Sequence, residues 1–417
     1  MLNTIFGTYQ DGRAYVISGP TSGIFRITTL ELTKHGTLVR CEKIDCTEQV
    51  PCLERCGLHR ADLQSLRLKR KGLSMETITA ASTTYRAFRA TGNGAFEDVH
   101  LPIQQPGIGQ VRIRVEASGV CHTDAFTVEG GAPGVTYPRV PGHEIVGLID
   151  AVGPGVADWF SGQRVGVGLL SGPCNQCVSC RRGDFVNCTR QPLTGIHVDG
   201  GYAEVVVANA AGLISIPDGM SATDAAPLLC AGVTTFNALR NSPARPGDLV
   251  AIHGIGGIGH LAVQYARKMG FRVVTIARGQ EKAELAIKLG AHQHIDSDRE
   301  DAAAILAGLG GASVILTTVS SPTAMNPLVA GLAPRGRMIV AGAGLEPITI
   351  DTPTLIFGEK SVQGTLTGST IDTSDTVDFS RLQDIHPIVE TFALADAPAG
   401  YAHMMRNKAR FRVVLMT

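Results

Sequence analysis

Cys121-His122-Thr123-Asp124 places a thiol, an imidazole, a hydroxyl and a carboxylate in four consecutive residues. Further along stand Gly142-His143-Glu144 and Leu228-Leu229-Cys230-Ala231-Gly232. Cys121, His143 and Cys230 together make a Cys2His set, three protein ligands with a fourth position left open. Catalytic zinc sites have that composition, whereas structural zinc sites are closed by four protein ligands. The competing reading is three separate core residues, because free cysteine is commonly buried.

A second group is more specific. Cys174, Cys177, Cys180 and Cys188 follow the spacing C-x2-C-x2-C-x7-C. Cysteines two residues apart in a tight knuckle can face one tetrahedral centre, and a loop brings in the fourth. Four thiolates leave no open position, so the expectation is a structural zinc. An iron–sulfur cluster also takes four thiolates, but no redox partner domain accompanies this one. Disulfides are the third alternative.

The third group is Val250-Ala251-Ile252-His253-Gly254-Ile255-Gly256-Gly257-Ile258-Gly259-His260, a G-x-G-x-x-G that follows a strand and opens a helix. In that context Gly254 permits the tight turn, Gly256 lets backbone approach a pyrophosphate, and Gly259 allows helix–strand packing. Gly257 and Ile258 complete the helix N-terminus, whose free N–H groups face the phosphates. About twenty residues on, NAD enzymes place a carboxylate for the ribose 2′-hydroxyl. Here the strand ends Thr275-Ile276-Ala277-Arg278-Gly279, and Arg278 suits a 2′-phosphate. NADP(H) is therefore expected over NAD(H); the alternatives are an NAD enzyme and a solvated arginine.

These groups need elements to hold them. Short β-rich segments, Tyr85–Phe88, Val111–Val115, Ile145–Val152, Arg164–Val167 and Tyr202–Val207, are punctuated by Gly and Pro and suggest a β-barrel-like domain. After Cys230 strands and helices alternate. Strands are expected at Asp248–His253, Arg272–Ile276, His294–Asp296, Ser313–Thr317, Arg337–Ala341 and Ile348–Ile350, with helices at Gly257–Met269, Gln280–Leu289 and Met325–Leu332. That alternation means a doubly wound parallel sheet, so the fold class is α/β. Phe411–Met416 reads as a closing strand.

The chain has 417 residues, 44% hydrophobic and 18% charged, with 37 basic and 37 acidic side chains. The length suggests two domains, and the neutral balance argues against nucleic acid as a partner. No apolar run reaches a membrane span and no secretory leader is recognisable, so a cytoplasmic protein is expected. Residues 1–74 look unlike the rest: Cys41, Cys46, Cys52 and Cys56 lack paired knuckles, and Arg67-Leu68-Lys69-Arg70-Lys71 is a basic cluster. A poorly ordered extension is expected there, with short strand candidates at Val16-Ile17, Ile24–Ile27 and Thr37–Val39.

In their order along the chain, Cys121–Asp124, Gly142-His143-Glu144-x-x-Gly147, the four-Cys lobe, Cys230 and the glycine turn resemble the zinc-dependent medium-chain alcohol dehydrogenases. Ala225–Gly232 and Ala409–Leu415 are most similar to the cinnamyl-alcohol-dehydrogenase-like branch. Cys2His ligation is itself a mark of zinc alcohol dehydrogenases, so it belongs to the resemblance and is not independent of it. The resemblance covers roughly residues 80–417. It implies a GroES-like catalytic domain over 75–231, completed by 367–417, and a Rossmann domain over 232–366.

It also implies two zinc ions per chain, one on Cys121, His143 and Cys230 with Glu144 close by, and one in the four-Cys lobe. Thr123 would move the alcohol proton, Asp124 would support the metal-bound imidazole, and His122 would lie near the cofactor phosphates. Relatives often carry a histidine where this chain has Phe126, which leaves the outer end of the proton path open. Leu169 and Leu170 match a pocket-lining segment and, with Trp159, read equally well as core. The implied activity is hydride transfer between a small alcohol or aldehyde and the nicotinamide, in a homo-oligomer. Two other readings compete. A zinc-free quinone or enone reductase would lack the ligand triplet, and a zinc-lobed nucleic-acid or scaffold protein would have only Arg181 and Arg182 to work with.

Overall fold

The computed structural model of the chain describes residues 83–344 and 346–417, and the backbone of 3–8, 14–19 and 26–30. Two units are distinguished, Met1–Ile78 and Thr79–Thr417. In the first, β1 (Asn3–Thr8), β2 (Ala14–Gly19) and β3 (Arg26–Leu30) pair in antiparallel succession. The strand candidate at Val16-Ile17 falls in β2. Thr37–Val39, the four early cysteines and the basic cluster lie outside the described residues.

The second unit opens with an antiparallel hairpin of β4 (Thr84–Ala90) and β5 (Phe96–Pro102). β5 is not apparent in the sequence because Glu97-Asp98 breaks its alternation. In the hairpin those two carboxylates meet Arg89 and Arg86 across the strands at 2.9 and 2.7 Å.

A larger sheet contains β6 (Gln110–Val120), β7 (Glu144–Val152), β8 (Arg164–Val167), β9 (Val205–Asn209) and β10 (Leu213–Ser215). β6 and β7 are antiparallel in a register that sets Gly119 opposite Glu144. Cys121 leaves the end of β6 and His143 immediately precedes β7, so this register carries both to one edge. Gly119 is required there: a Cβ on it would run into the Glu144 carboxylate.

The parallel sheet follows: β11 (Leu249–His253), β12 (Arg272–Ala277), β13 (Gln293–Asp296), β14 (Ala312–Thr317), β15 (Leu332–Val340) and β16 (Ser361–Gly364). Its order, β13-β12-β11-β14-β15-β16, is doubly wound, with the strand order reversing between β11 and β14. All five residues of β11 are buried, as in a sheet covered on both faces.

The expected strand at Ile348–Ile350 is corrected: that segment has no ladder partner, and Asp351 caps a short helix, Thr352–Ile356. The edge position goes instead to Ser361–Gly364, whose half-exposed, weakly apolar residues carry no periodic signal. The expected helix at Met325–Leu332 is corrected as well. Pro322–Met325 is α-helical, Asn326–Gly331 is a 3-10 turn with Pro327 in its first turn, and Leu332 already belongs to β15.

β17 (Val389–Ala393) and β18 (Arg412–Met416) return to the first sheet, giving the order β10-β8-β7-β6-β18-β17 with β9 also on β6. β18 sets Val413 opposite Val120, which brings Arg412 to the same end of β6 as Cys121. Core packing runs across both sheets: Ala117 and Val146 share one buried cluster with Phe236, Leu261 and Tyr265. Among the described residues no helix is long and apolar enough to cross a membrane.

Candidate active site

The end of β6 turns sharply through a 3-10 turn, His122–Asp124. The Asp124 carboxylate reaches back to accept the Cys121 N–H at 2.9 Å, and Asp124 N–H bonds Cys121 C=O at 3.0 Å. Cys230 lies in a π-helical turn, Leu228–Gly232. Such turns widen the helix backbone and recur at functional sites. One donor atom from each of Cys121, His143, Glu144 and Cys230 falls within 4.8 Å of all the others. The first three are buried, and Cys230 is half-buried.

Zinc can be tested against this arrangement. Two sulfurs held tetrahedrally at ~2.3 Å from zinc lie about 3.8 Å apart, and a sulfur and a nitrogen about 3.6 Å apart. The Cys121 and Cys230 sulfurs are 3.9 Å apart, and His143 Nε2 is 3.4 Å from the Cys230 sulfur. The spacing is too long for a disulfide. Glu144 Oε2 is buried in the cluster without a hydrogen-bond partner. A cation would satisfy that acceptor, so the donor set fits a zinc ion.

Asp124 supports the cluster from behind. Its Oδ1 is 2.9 Å from His143 Nδ1, which leaves Nε2 as the free ring nitrogen toward the sulfurs. Its Oδ2 accepts from the Tyr202 hydroxyl at 3.0 Å as well as from Cys121 N–H. Burial works against charging His143, but the Asp124 charge and hydrogen bond raise its pKa well above the ordinary value. The hydrogen bond between the two thiols lowers Cys121 and raises Cys230, so without a metal Cys121 is the acidic member of the pair. Burial lifts Glu144 to about 7 against the pull of Arg412.

Asp124→Asn would turn an NH2 toward the Cys121 N–H and weaken the charged support of His143. Zinc affinity, measured by chelator competition, should fall about 10–100-fold. An unchanged affinity would remove Asp124 from the metal site.

The Cys121 thiol donates to Thr123 Oγ1 at 3.7 Å, and Thr123 is half-buried between the cluster and the exposed His122. Phe126 is 45% exposed. Leu169 and Leu170 line a small recess with Leu229 and Gly368, whereas Trp159 packs on the β-sheet core and donates to Ala210 C=O.

Two residues that the sequence reading left out belong here. Arg412 is buried and pairs with Glu144 Oε1, while its side chain lies against Gly257 of the glycine turn. Tyr202 is fully buried and anchors Asp124. The signal for Arg412 was a charge inside the otherwise apolar Phe411-Arg412-Val413-Val414-Leu415.

In the second lobe the four sulfurs of Cys174, Cys177, Cys180 and Cys188 also lie within 4.8 Å of one another, Cys174 and Cys180 at 3.9 Å. Each knuckle is set by backbone: Cys177 N–H donates to the Cys174 sulfur, Cys180 N–H to Cys177, and Cys174 N–H to Cys188. Backbone N–H groups, led by that of Gln176, lower Cys174 to about 7, and others, led by that of Cys180, lower Cys177 to about 5. Desolvation raises Cys180 to about 12. The mutual approach of the four sulfurs and their chemistry fit a closed zinc site.

The glycine turn has the form its motif requires. Gly254 sits at φ +94°, and a Cβ there would strike Thr318 and Val319. A Cβ on Gly256 would meet nothing, so that position faces open space. Gly259 presses on the Gly254 carbonyl and starts the helix Gly259–Lys268, with Ile258 at its cap. A cavity of about 280 Å³ opens where β14 and β15 end, lined by Ser320, Met325, Gly342 and Thr365 among others. Arg278, just past β12, is exposed. The nearby Asp296 is buried and occupied: it accepts Gly279 N–H at 2.8 Å and Asp298 N–H at 3.2 Å.

Residues 107–218 match the alcohol dehydrogenase GroES-like domain family and 257–381 the zinc-binding dehydrogenase family. An alcohol dehydrogenase of Penicillium expansum, patD, is 40% identical over 342 residues, spanning 82% of this chain and 99% of that protein. A cinnamyl alcohol dehydrogenase from Sorghum bicolor superposes with a TM-score of 0.73 at 30% identity, covering 80% of this chain and 97% of its own. The cinnamyl alcohol dehydrogenase of Helicobacter pylori complexed with NADP(H) gives 0.71 at 27% identity, over 80% and 98%.

Proposed function

The chain belongs to the zinc-dependent medium-chain alcohol dehydrogenases, of the cinnamyl-alcohol-dehydrogenase-like kind, and on that premise we propose that it interconverts a primary alcohol and its aldehyde with NADP(H). It is an oxidoreductase acting on alcohols. The observation that carries the finer reading is the meeting, at one end of β6, of the Cys121–His143–Glu144–Cys230 cluster with Arg412, which reaches the glycine turn.

When bound, zinc supplies Lewis acidity at the alcohol or carbonyl oxygen, and the nicotinamide supplies a hydride site. Cys121, His143 and Cys230 hold the metal; Cys174, Cys177, Cys180 and Cys188 hold a second, structural one. Asp124 fixes the His143 ring, and Arg412 holds Glu144 Oε1 in an ion pair. Thr123 takes the alcohol proton through Oγ1 and passes it toward His122 or solvent, since Phe126 has no proton to exchange. Gly254, Gly256, Gly257, Ile258 and Gly259 receive the pyrophosphate. We read 75–231 with 367–417 as the catalytic domain and 232–366 as the nucleotide domain.

The choice of NADP(H) rests on Arg278, exposed at the tip of β12, and on the Asp296 carboxylate beside the strand end being engaged by backbone N–H groups. An Arg278→Asp variant should lower the NADPH-to-NADH ratio of kcat/KM about 10–100-fold, the worth of a charged hydrogen bond. An unchanged ratio would remove Arg278 from the selectivity. The activity itself is tested by loss of reduced-nicotinamide absorbance when NADPH meets an aromatic aldehyde. No turnover with any alcohol or aldehyde, in protein carrying both zincs, would overturn the proposal.

A further inference from the structure

His260 follows the last glycine of the turn and is fully buried, yet none of the chemistry above uses it. Its ring is bonded at both nitrogens: Nδ1 lies 2.9 Å from the Gly256 carbonyl, and Nε2 lies 3.1 Å from the Ile388 N–H. A backbone N–H can only donate, so Nε2 is bare and Nδ1 carries the proton it gives to Gly256. The ring is thereby fixed as one neutral tautomer. Burial lowers its pKa to about 4, so it stays neutral at physiological pH.

The partners of this ring matter more than the ring. Gly256 is the glycine that faces open space in the nucleotide turn. Ile388 is the residue before β17, and its carbonyl accepts both Phe411 N–H and Arg412 N–H at 3.0 Å. Phe411 also stacks on the His260 ring, with centroids 5.1 Å apart and 24° between planes. One helical turn later, Gln264 donates to His386 C=O at 2.9 Å and accepts from His386 N–H at 3.4 Å. Positions 260 and 264 lie on one helix face, so this face is fastened to 386–388 at two successive points. Through Ile388 the same fastening reaches Arg412, whose side chain runs from Gly257 to Glu144.

We propose that His260 is a positioning residue for the coenzyme, holding the Gly256 carbonyl and the Arg412 strand in one register so that turn and guanidinium meet the pyrophosphate together. The inference rests on reading the glycine turn as the coenzyme site. Its role is in binding, because His260 reaches neither the Cys121 cluster nor Thr123.

The test uses the full zinc-loaded enzyme and follows NADPH binding directly by nucleotide fluorescence, beside steady-state kinetics and metal content. His260→Leu removes both bonds and keeps an apolar side chain. NADPH Kd and KM should rise about 10–100-fold, the cost of leaving the Ile388 N–H unpartnered and of removing the side-chain bond from the Gly256 carbonyl, which keeps only the His260 N–H. With NADPH saturating, kcat should change less than about threefold and both zincs should stay. His260→Gln restores an acceptor toward Ile388 and should recover part of the affinity. If the leucine variant fails to fold, the glutamine variant still decides: its Kd should be about 3–10-fold above the parent.

Parental Kd in either variant would overturn the proposal. So would a loss of kcat or zinc that matched the loss of affinity, which would mark a structural role only. If the parent itself bound no NADPH or NADH, the coenzyme reading of the turn would fall and this inference with it.

Discussion

A Cys121→Ser enzyme is expected to lose the catalytic zinc, keep the structural one, and fall in turnover by roughly 10³-fold or more. The chain should stay folded. Cys121 holds Asp124 through its backbone N–H and C=O, which serine keeps. Its side chain makes hydrogen bonds to Cys230, Thr123 and His143, all within the site, and a hydroxyl is smaller than the thiol it replaces. What serine cannot supply is a thiolate: an alcohol oxygen stays protonated near neutral pH and is a poor partner for zinc beside a second sulfur. The measurements are zinc per chain and kcat with an aldehyde. Full activity in this variant would sink the assignment of the site, and loss of both zincs would show that the two sites are not independent.

The donors of that site are legible in the sequence because their residue types are rare and their order is distinctive. What brings them together is not. Cys121 and His143 meet through the Gly119–Glu144 register of β6 and β7, and no local pattern encodes a register that two bulges adjust. Arg412 and Glu144 are 268 positions apart, and only the pairing of β18 with β6 makes them neighbours.

The same distinction separates the elements. β11 and β12 are long buried apolar runs and stand out alone. Ser361–Gly364 becomes a strand because β15 offers an open edge, while Ile348–Ile350 has the right alternation and no partner. The glycine turn is the intermediate case: its spacing marks it in the sequence, but the bond that ties His260 to Ile388, far along the chain, leaves no local trace.

Cys177→Ser makes the complementary prediction for the four-Cys lobe. The lobe from Gly172 to Arg190 contributes only a four-residue helix, Val178–Arg181, and three of its backbone N–H groups donate to the sulfurs. With so little apolar packing of its own, its order is expected to depend on the structural metal proposed above. Loss of one thiolate should release that zinc while the Cys121 site keeps its own. The loop should then open to trypsin at the exposed Arg181 and Arg182, with cleavage faster by about tenfold or more.

Acid should act in the same direction. The Cys177 thiol is depressed to about 5 in the folded chain, by backbone N–H groups led by that of Cys180. Its contribution to stability is therefore complete above the ordinary thiol range and is lost as pH falls toward about 5. Acid should therefore release the parent's lobe metal and open the same loop that Cys177→Ser opens at neutral pH. Retention of both zincs in Cys177→Ser, with no new cleavage at Arg181 or Arg182, would show that the four sulfurs do not hold a structural metal.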